Sequence, residues 1–230
     1  MLIALPNLDR SFTATLFMPL HGNSSFASLR ANGIMAFFAA NFPDALRLMP
    51  DVEADWAHHP TGRLGTVYCR PWRFKDRIVL IGDAAHAIVP FHGQGMNAAF
   101  EDCVELDELV AEHGSDWNRI LGEFEARRAD NARAIAEMAL ENYRVMRDQV
   151  RGDDYRLRTE VAFELEHRFP GRFIPRYSMV MFHPEISYAE AQQRGAAQDD
   201  LLGKLIGDAR TLDDVDFEVA RGLIDAVSSR

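Results

Sequence analysis

Hydrophobic residues recur at helical spacing over long parts of the chain, whereas alternating and continuous apolar runs are short. The longest helical pattern covers residues 117–150, and Asp116 stands where a helix cap is expected. Residues 31–42 and 155–169 carry the same spacing, and Pro43 is expected to end the first of these two helices. Residues 189–230 are compatible with helix. The chain is therefore predicted to be rich in helices, above all in its second half.

Three short stretches predict β-strands. Residues 2–18 alternate between apolar and polar side chains around Asn7–Arg10, a pattern that predicts a hairpin. Residues 64–69 predict a further strand, and the continuous apolar run Ile78–Ile81 predicts a buried one. Residues 173–182 are apolar but too irregular for a surface helix. The predicted fold class is α+β or α/β.

Candidate chemistry is concentrated in residues 77–108. The predicted strand ends at Gly82-Asp83, and after a loop containing Pro90 the segment Gly93–Asn97 is expected to open a helix. The apolar residues of that helix are expected to face the protein interior: Met96, Phe100, Cys103 and Val110. Its first backbone N–H groups and its positive dipole end suit an electron-rich ligand.

The residues GDAAH (82–86) and PFHGQGMN (90–97) closely resemble the second flavin motif of the aromatic-ring hydroxylases, which are p-hydroxybenzoate hydroxylase-like flavoprotein monooxygenases. The resemblance extends from residue 2 to about residue 188. It implies that Asp83 binds the ribityl chain of FAD and that the loop and helix start lie along the isoalloxazine ring. The cofactor-binding residues implied are Gly82, Asp83, Pro90, Gly93, Gln94, Gly95, Met96 and Asn97.

The resemblance also implies an activity. NADPH would reduce the FAD, and one atom of dioxygen would enter a small aromatic substrate, with kynurenine favoured. Four residues are implied to bind that substrate: Asn142, Tyr177, Phe91 and His92. No catalytic acid or base and no metal ligand is predicted. Two rival functions stay open, namely hydroxylation of a phenol or benzoate and a non-catalytic binding or assembly module.

Two of these residues also attract attention without the resemblance. Asn142 lies on the apolar stripe of the 117–150 helix, so its amide is expected to point inward and to need partners, as is that of Asn131. Tyr177 lies in an apolar segment, where a buried phenol would also need a partner. The alternative is that Asn142 ties two helices together and that Tyr177 only packs.

Enzymes of this class bind the ADP half of FAD through a strand, a GxGxxG turn and a helix, and this sequence contains no GxGxxG. The chain is therefore expected to correspond to the C-terminal half of a longer enzyme, with the N-terminal half as a partner. Residues 1–76 are expected to form part of a substrate-binding sheet domain, 77–113 the second FAD-binding segment, and 114–230 a C-terminal helical region.

Composition argues against some classes of partner and bears on the cellular location. A net charge of −10 without a basic block argues against a nucleic-acid partner. Two cysteines are too few for a disulfide framework, and no apolar run is long enough to span a membrane, so a cytoplasmic location is expected. His58-His59 and the pair His86 and His92 could suggest metal sites. A solvated loop at 51–60 and histidines that pack or contact the flavin are the favoured interpretations.

Overall fold

The structure, a computed structural model, describes residues 1–228 and the side chains of all of these except 30–32 and 226–228. The chain divides into two compact units, Met1–Arg63 and Leu64–Arg230. Most described residues are helical, and each unit contains one two-stranded antiparallel sheet. All of the predicted cofactor and substrate residues lie in the second unit.

The first unit opens with the predicted hairpin. Strand β1 (Leu2–Pro6) pairs with β2 (Phe12–Leu16), with Leu2 opposite Leu16 and Pro6 opposite Phe12. In the turn, Arg10 has a φ of 71°, and Ser11 donates backbone and hydroxyl hydrogen bonds to the Asp9 carboxylate. The alternating pattern and the turn residues therefore predicted this element correctly.

Four short helices follow in the first unit, and they differ from the prediction at two places. They are α1 (Phe26–Asn32), α2 (Ile34–Asn41), α3 (Pro43–Leu46) and α4 (Val52–His58). Gly33, with a φ of 81°, splits the single helix predicted over 31–42. The expected loop at 51–60 is helix α4, because Val52 packs into a core with Leu29, Ile34 and Phe38.

The sheet of the second unit is smaller than predicted. Strands β3 (Arg73–Phe74) and β4 (Ile78–Val79) have two residues each. The strand expected at 64–69 does not form: the stretch has no ladder partner, although the Val67 N–H donates to the Ala87 carbonyl. The run 78–81 is not buried as expected, since Ile78 is 55% exposed with only β3 beside it.

Seven helices of the second unit lie in the described part of the chain. They are α5 (Asp83–His86), α6 (Gly95–His113), α7 (Trp117–Asp148), α8 (Asp153–Arg168), α9 (Arg176–Phe182), α10 (Tyr188–Ile206) and α11 (Phe217–Ser228), with a 3₁₀ turn at Leu212–Asp214. Residues 173–182, which were expected to be too irregular for a surface helix, contain helix α9, whose residues Ser178–Val180 are buried.

Helix α7 organises the second unit. At its N-terminus, the predicted cap is confirmed: the Asp116 carboxylate accepts a hydrogen bond from the Arg119 N–H at 3.2 Å. Its first half packs into one core through Ile120, Leu121 and Phe124, and its second half into another through Ile135 and Met138. Helices α8, α10 and α11 enclose a third core. Over 32 residues, α7 is roughly 48 Å long, which lets it join two of these cores.

Helix α6 exposes the face that was expected to be buried. Met96, Phe100 and Val104 are 69%, 61% and 57% exposed, and Cys103 is exposed as well. The buried face instead carries Ala98, Asp102 and Leu109. Of the four residues predicted to share this face, Val110 packs against a core, whereas nothing in the described part of the chain covers Met96, Phe100 and Cys103. We call Met96, Phe100 and Val104 the α6 stripe.

No helix among the described residues is long and apolar enough to cross a membrane.

Candidate functional site

A glycine turn with a positive φ connects β4 to α5. Gly82 has φ 56° and ψ −142°, a conformation that side-chain-bearing residues rarely adopt, and a Cβ there would lie 3.3 Å from the Cβ of Ala99. The next residue, Asp83, is exposed, and its carboxylate makes no hydrogen bond or ion pair within residues 1–228. The turn thus presents an unpaired carboxylate at the surface while its backbone packs tightly on α6.

The start of α6 has no side-chain cap. Gln94 precedes the helix without bonding its first N–H groups, and its Oε1 accepts a 2.8 Å hydrogen bond from Asn97 Nδ2. Gly93, with a φ of 67°, turns the chain into the helix, and a side chain there would meet no atom within 4 Å. Uncapped backbone N–H groups at a helix start are suited to bind an electron-rich group.

The turn and the helix start lie close to each other. Gly82 packs on Ala99, which is four residues after the first residue of α6, Gly95, and therefore about 6 Å along the helix axis. The connecting loop folds back on this corner, since Ile88 Cγ1 lies 3.5 Å from the position of a Cβ on Gly95. The predicted cofactor residues of the turn, the loop and the helix start thus form one corner of the second unit.

The residues at this corner fit a flavin nucleotide. An unpaired exposed carboxylate suits the hydroxyl groups of a ribityl chain, because carboxylates accept charge-assisted hydrogen bonds. Uncapped N–H groups suit the carbonyl-bearing edge of an isoalloxazine ring, which gains negative charge on reduction. The side-chain-free position at Gly93 leaves room for a flat ring to approach the backbone.

Two of the predicted substrate residues meet on the loop that follows Pro90. Asn142 Nδ2, on α7, donates a 2.5 Å hydrogen bond to the backbone carbonyl of Phe91. The ring of Phe91 packs on Tyr143, with centroids 4.7 Å apart. The prediction that Asn142 turns inward is confirmed. One of its amide N–H groups ties α7 to the loop, which is the kind of structural role given as the alternative. Asn131 behaves similarly: its Oδ1 accepts the N–H of Ala189 at the start of α10.

The other two predicted substrate residues stack on each other. The rings of His92 and Tyr177 have centroids 5.8 Å apart and an interplanar angle of 27°. His92 is buried, and burial together with the nearby Arg176 lowers the pKa of its imidazole to about 4, so the ring is neutral at pH 7. Its Nδ1 is buried without a hydrogen-bond partner in the described region. Tyr177, expected to be buried, is 52% exposed because α9 turns it toward solvent.

A buried polar network beneath this corner was missed by the sequence analysis. Asp102 of α6 is fully buried, and its carboxylate accepts hydrogen bonds from the Gly82 N–H at 2.9 Å, His86 Nε2 at 2.6 Å and Arg128 Nε at 2.7 Å. Burial alone would raise the pKa of Asp102, but the hydrogen bonds from His86, Gly82 and Arg128 lower it. The sequence analysis gave Asp102 no role, and its partner Arg128 is 26 residues away.

The network continues to the start of α6. Arg128 Nη1 donates to Glu101 Oε2 at 2.9 Å, and the Tyr188 hydroxyl lies 2.9 Å from Glu101 Oε1 and 3.1 Å from Gln94 Oε1. Burial raises the pKa of Tyr188, and the negative charge of Glu101 raises it further, so the phenol keeps its proton and donates it. Gln94, one of the predicted cofactor residues, is thereby connected to α10.

Within residues 1–228, no cluster of three or more His, Cys, Asp or Glu side chains could hold a metal ion. His58 and His59 each bond a backbone carbonyl four residues earlier in the chain. His86 bonds Asp102, as described above.

Comparison with known proteins finds an FAD-binding domain and several similar enzymes. Residues 48–139 match the sequence model of an FAD binding domain. The kynurenine 3-monooxygenase of Stenotrophomonas maltophilia is 47% identical over 227 residues, which are 98% of this chain and 50% of the relative. Those of Xanthomonas euvesicatoria pv. vesicatoria and Myxococcus xanthus are 45% and 46% identical, over 98% and 97% of this chain.

The chain spans about half the length of the curated relatives it matches. The predicted resemblance to the flavoprotein aromatic-ring hydroxylases is confirmed: over almost its whole length, this chain is similar to about half of a kynurenine 3-monooxygenase.

Proposed function

We propose that this chain is the C-terminal half of an FAD- and NADPH-dependent monooxygenase that converts L-kynurenine to 3-hydroxykynurenine with dioxygen. The observation that carries the proposal is the corner at which the Gly82-Asp83 turn packs on α6, next to the uncapped start of that helix. Asp83 would hold the ribityl chain, and the N–H groups of Gly95, Met96 and Asn97 would face the ring. Bound FAD supplies the redox and oxygen chemistry, and this half positions the ring and the substrate.

The substrate assignment is supported by the contacts of the Pro90–Gly93 loop. Asn142 and Tyr177 reach the loop from α7 and α9, and both carry hydrogen-bond donors suited to a carboxylate such as that of an amino acid. The exposed phenol of Tyr177 leaves its O–H available to a ligand. His92, buried and neutral at pH 7, stacks on the Tyr177 ring and so supports the position of that phenol. A phenol has no carboxylate for these donors, and a benzoate carries its carboxylate directly on the ring and not on an amino-acid side chain.

The α6 stripe supports the proposal that a further part of the enzyme packs on this chain. Three large apolar side chains at i, i+4 and i+8 spacing, each more than half exposed, are uncommon on a finished protein surface. The relatives contain about as many residues again as this chain aligns with. We propose that the N-terminal half covers the stripe, and that residues 1–76 belong to the substrate-domain sheet and 77–113 to the FAD-binding segment. A cytoplasmic location remains a prediction from the two unpaired cysteines.

The first test concerns the cofactor. The chain alone should show no stoichiometric flavin absorbance after desalting, because the adenosine and pyrophosphate contacts are expected in the other half. In an enzyme made by joining this chain to the additional half of the Stenotrophomonas relative, Asp83→Ala should weaken FAD binding by about 1.5–3 kcal/mol, through loss of a charge-assisted hydrogen bond. Flavin fluorescence titration measures the effect.

Asp107→Ala is the matched control, since Asp107 is also an exposed aspartate but lies on α6 away from the turn. It should leave FAD affinity unchanged. If Asp83→Ala lowers the melting temperature while the flavin content stays that of the parent, Asp83 is a structural residue and the assigned cofactor role is wrong. A joined enzyme that folds but binds no flavin would favour the rival, a non-catalytic module.

The second test concerns the substrate. In the joined enzyme, Asn142→Ala and Tyr177→Phe should each raise the dissociation constant of kynurenine by about 10- to 100-fold, which is the range of one hydrogen bond to a charged group. A decarboxylated analogue of kynurenine should lose much less affinity, because it lacks the carboxylate. Equal losses for both ligands would show that these residues do not recognise the carboxylate. The kynurenine assignment would then lose its support from the site.

A further inference from the structure

The most deeply buried charge of the second unit lies directly beneath the proposed cofactor corner. Asp102 is 0% exposed, yet its carboxylate is not part of any surface that a ligand could touch. We propose that Asp102 is a positioning residue, which fixes the Gly82-Asp83 turn against α6, and that Arg128 holds its carboxylate in place. This inference rests on the proposed function, because it assigns Asp102 a purpose only if Asp83 binds the cofactor.

The two oxygens of Asp102 have separate partners. Oδ2 accepts the Gly82 N–H at 2.9 Å and His86 Nε2 at 2.6 Å, and so holds both the entrance of the turn and the end of α5. The residue between these two anchors that faces solvent with an unpaired carboxylate is Asp83. The first bond fixes the Ile81–Gly82 peptide plane and the second fixes the end of α5, so Asp83 lies between two anchored points and the direction of its side chain is restricted accordingly.

Oδ1 of Asp102 is held from α7. Arg128 Nε donates to it at 2.7 Å, while Nη1 bonds Glu101 and Nη2 donates to the Ala98 carbonyl at 3.0 Å. All three contacts of the guanidinium lie on the first two turns of α6, so the arginine cannot move without releasing that segment. A buried carboxylate needs such a partner, since an unpaired charge in the interior is strongly unfavourable. The bond to the Gly82 N–H is thereby kept charge-assisted.

The same network reaches the other part of the proposed cofactor site. Glu101 accepts one hydrogen bond from Arg128 and another from the Tyr188 hydroxyl. The Tyr188 hydroxyl also lies 3.1 Å from Gln94 Oε1 at the start of α6. The turn and the helix start are thus anchored to one set of buried groups on α6, α7 and α10. If the Asp102–Arg128 ion pair served only the stability of the core, its network would not need to reach both the Gly82-Asp83 turn and the start of α6.

Asp102→Asn in this chain, with Asp107→Asn as the matched control on the same helix, tests the inference by ¹⁵N NMR. The parent chain is titrated with millimolar FAD, and the amide signals of Gly82, Asp83 and Gly95–Asn97 are followed. We expect Asp102→Asn to increase hydrogen exchange of the Gly82 amide at least tenfold and to weaken the FAD response on the order of tenfold, the effect of one lost charge-assisted hydrogen bond. Asp107→Asn should change neither quantity.

A merely structural role is distinguished by a core variant, Val161→Ala, which destabilises the same unit from the core around α8, a core that contains no residue of the network. If Val161→Ala weakens the FAD response as much as Asp102→Asn does, the positioning role is wrong. If Asp102→Asn does not fold, Arg128→Lys keeps both charges and removes the geometry, and it should produce the same selective change. An unchanged Gly82 amide in either folded variant overturns the inference. If the Gly82 amide changes as expected but neither the parent chain nor the joined enzyme responds to FAD, the proposed function is wrong while the anchoring of the turn by Asp102 stands.

Discussion

At the scale of single residues, Gly195 shows how closely α9 and α10 are packed. Arg176 crosses α10 at this glycine, where a Cβ would lie 2.7 Å from the Cγ of the arginine. Beyond the crossing, the guanidinium bonds Glu141 of α7 at 2.8 Å and lies 3.7 Å from Asp199. Since Tyr177 follows Arg176 directly, the position of this proposed substrate residue depends on the space at Gly195.

Gly195→Ala is therefore expected to destabilise the protein by about 1–2 kcal/mol, although alanine is ordinarily favoured over glycine inside a helix by nearly 1 kcal/mol. The added methyl group would contact the Cβ, Cγ and Cδ atoms of Arg176 and not its flexible guanidinium end. A change of side-chain rotamer near that end would therefore not relieve the contact. Urea unfolding of the purified chain measures the change.

For Gly203→Ala, on the same helix, we expect the protein to be stabilised. A Cβ at Gly203 meets no atom within 4 Å, and the residue is exposed, so only the helix propensity changes. This variant should gain about 0.5–1 kcal/mol. Should both variants be stabilised, the crossing of Arg176 over α10 is wrong.

At the scale of elements, hydrophobic spacing predicted which segments form helices better than it predicted which residues of those helices are buried. Helix α7 was predicted within two residues of its observed end, because Ile120, Phe124 and Ile135 repeat over many turns. The same reasoning assigned Met96, Phe100 and Cys103 of α6 to the interior, since periodicity places residues on a common face and does not identify what covers that face. Helix α9 was missed because seven residues are too short to establish a period.

Two phenylalanines give a direct test of this distinction. Phe124 of α7 is fully buried, whereas Phe100 of α6 is 61% exposed. In the chain alone, Phe124→Ala should cost about 3–5 kcal/mol and Phe100→Ala less than about 0.5 kcal/mol. Thermal or urea unfolding compares the two variants with the parent.

In the joined enzyme, Phe100→Ala should cost clearly more than it does in the chain alone, because the proposed N-terminal half covers the α6 stripe there. An equal, negligible cost in both proteins would contradict the proposal that this half packs on the stripe.

In the candidate site, some features depend on residues close together in the sequence and others on residues far apart in it. The turn at Gly82-Asp83 and the helix start at Gly95 follow from neighbouring residues, so the sequence was enough to predict them. The network of Asp102 joins residues 20 and 26 positions apart in the sequence, and no local pattern indicates that a carboxylate between apolar residues is neutralised by a distant arginine. Its recognition required the packed structure.

At the scale of the whole molecule, acid should destabilise the protein through His92. The pKa of its imidazole is about 4 in the folded protein and 6.5 for an unperturbed histidine, so below pH 6.5 the unfolded chain binds a proton that the folded chain does not. Stability is therefore complete above pH 6.5 and falls as the pH decreases toward 4. Between pH 7 and pH 5 the expected loss is about 2 kcal/mol.

The variant His92→Phe keeps a ring against Tyr177 but cannot titrate, so its unfolding free energy should change about 2 kcal/mol less between pH 7 and pH 5. Urea unfolding at both pH values gives the comparison. General charge effects act in the opposite direction: the net charge of −10 at pH 7 declines toward the isoelectric point near 5.2, which relieves repulsion. Identical pH profiles for both proteins would show that the imidazole is not buried in the neutral form.

The buried network also limits how this protein can be recombined with its relatives. Asp102 and Glu101 come from α6, Arg128 from α7, His86 from α5 and Tyr188 from α10, so five side chains from four helices depend on one another for charge and hydrogen bonding. A crossover between α6 and α7 can leave one parent's carboxylate facing the other parent's substitute for Arg128. Chimeras that inherit residues 82–188 from one parent keep these five side chains together. In a library of chimeras, we expect these to be the ones that fold.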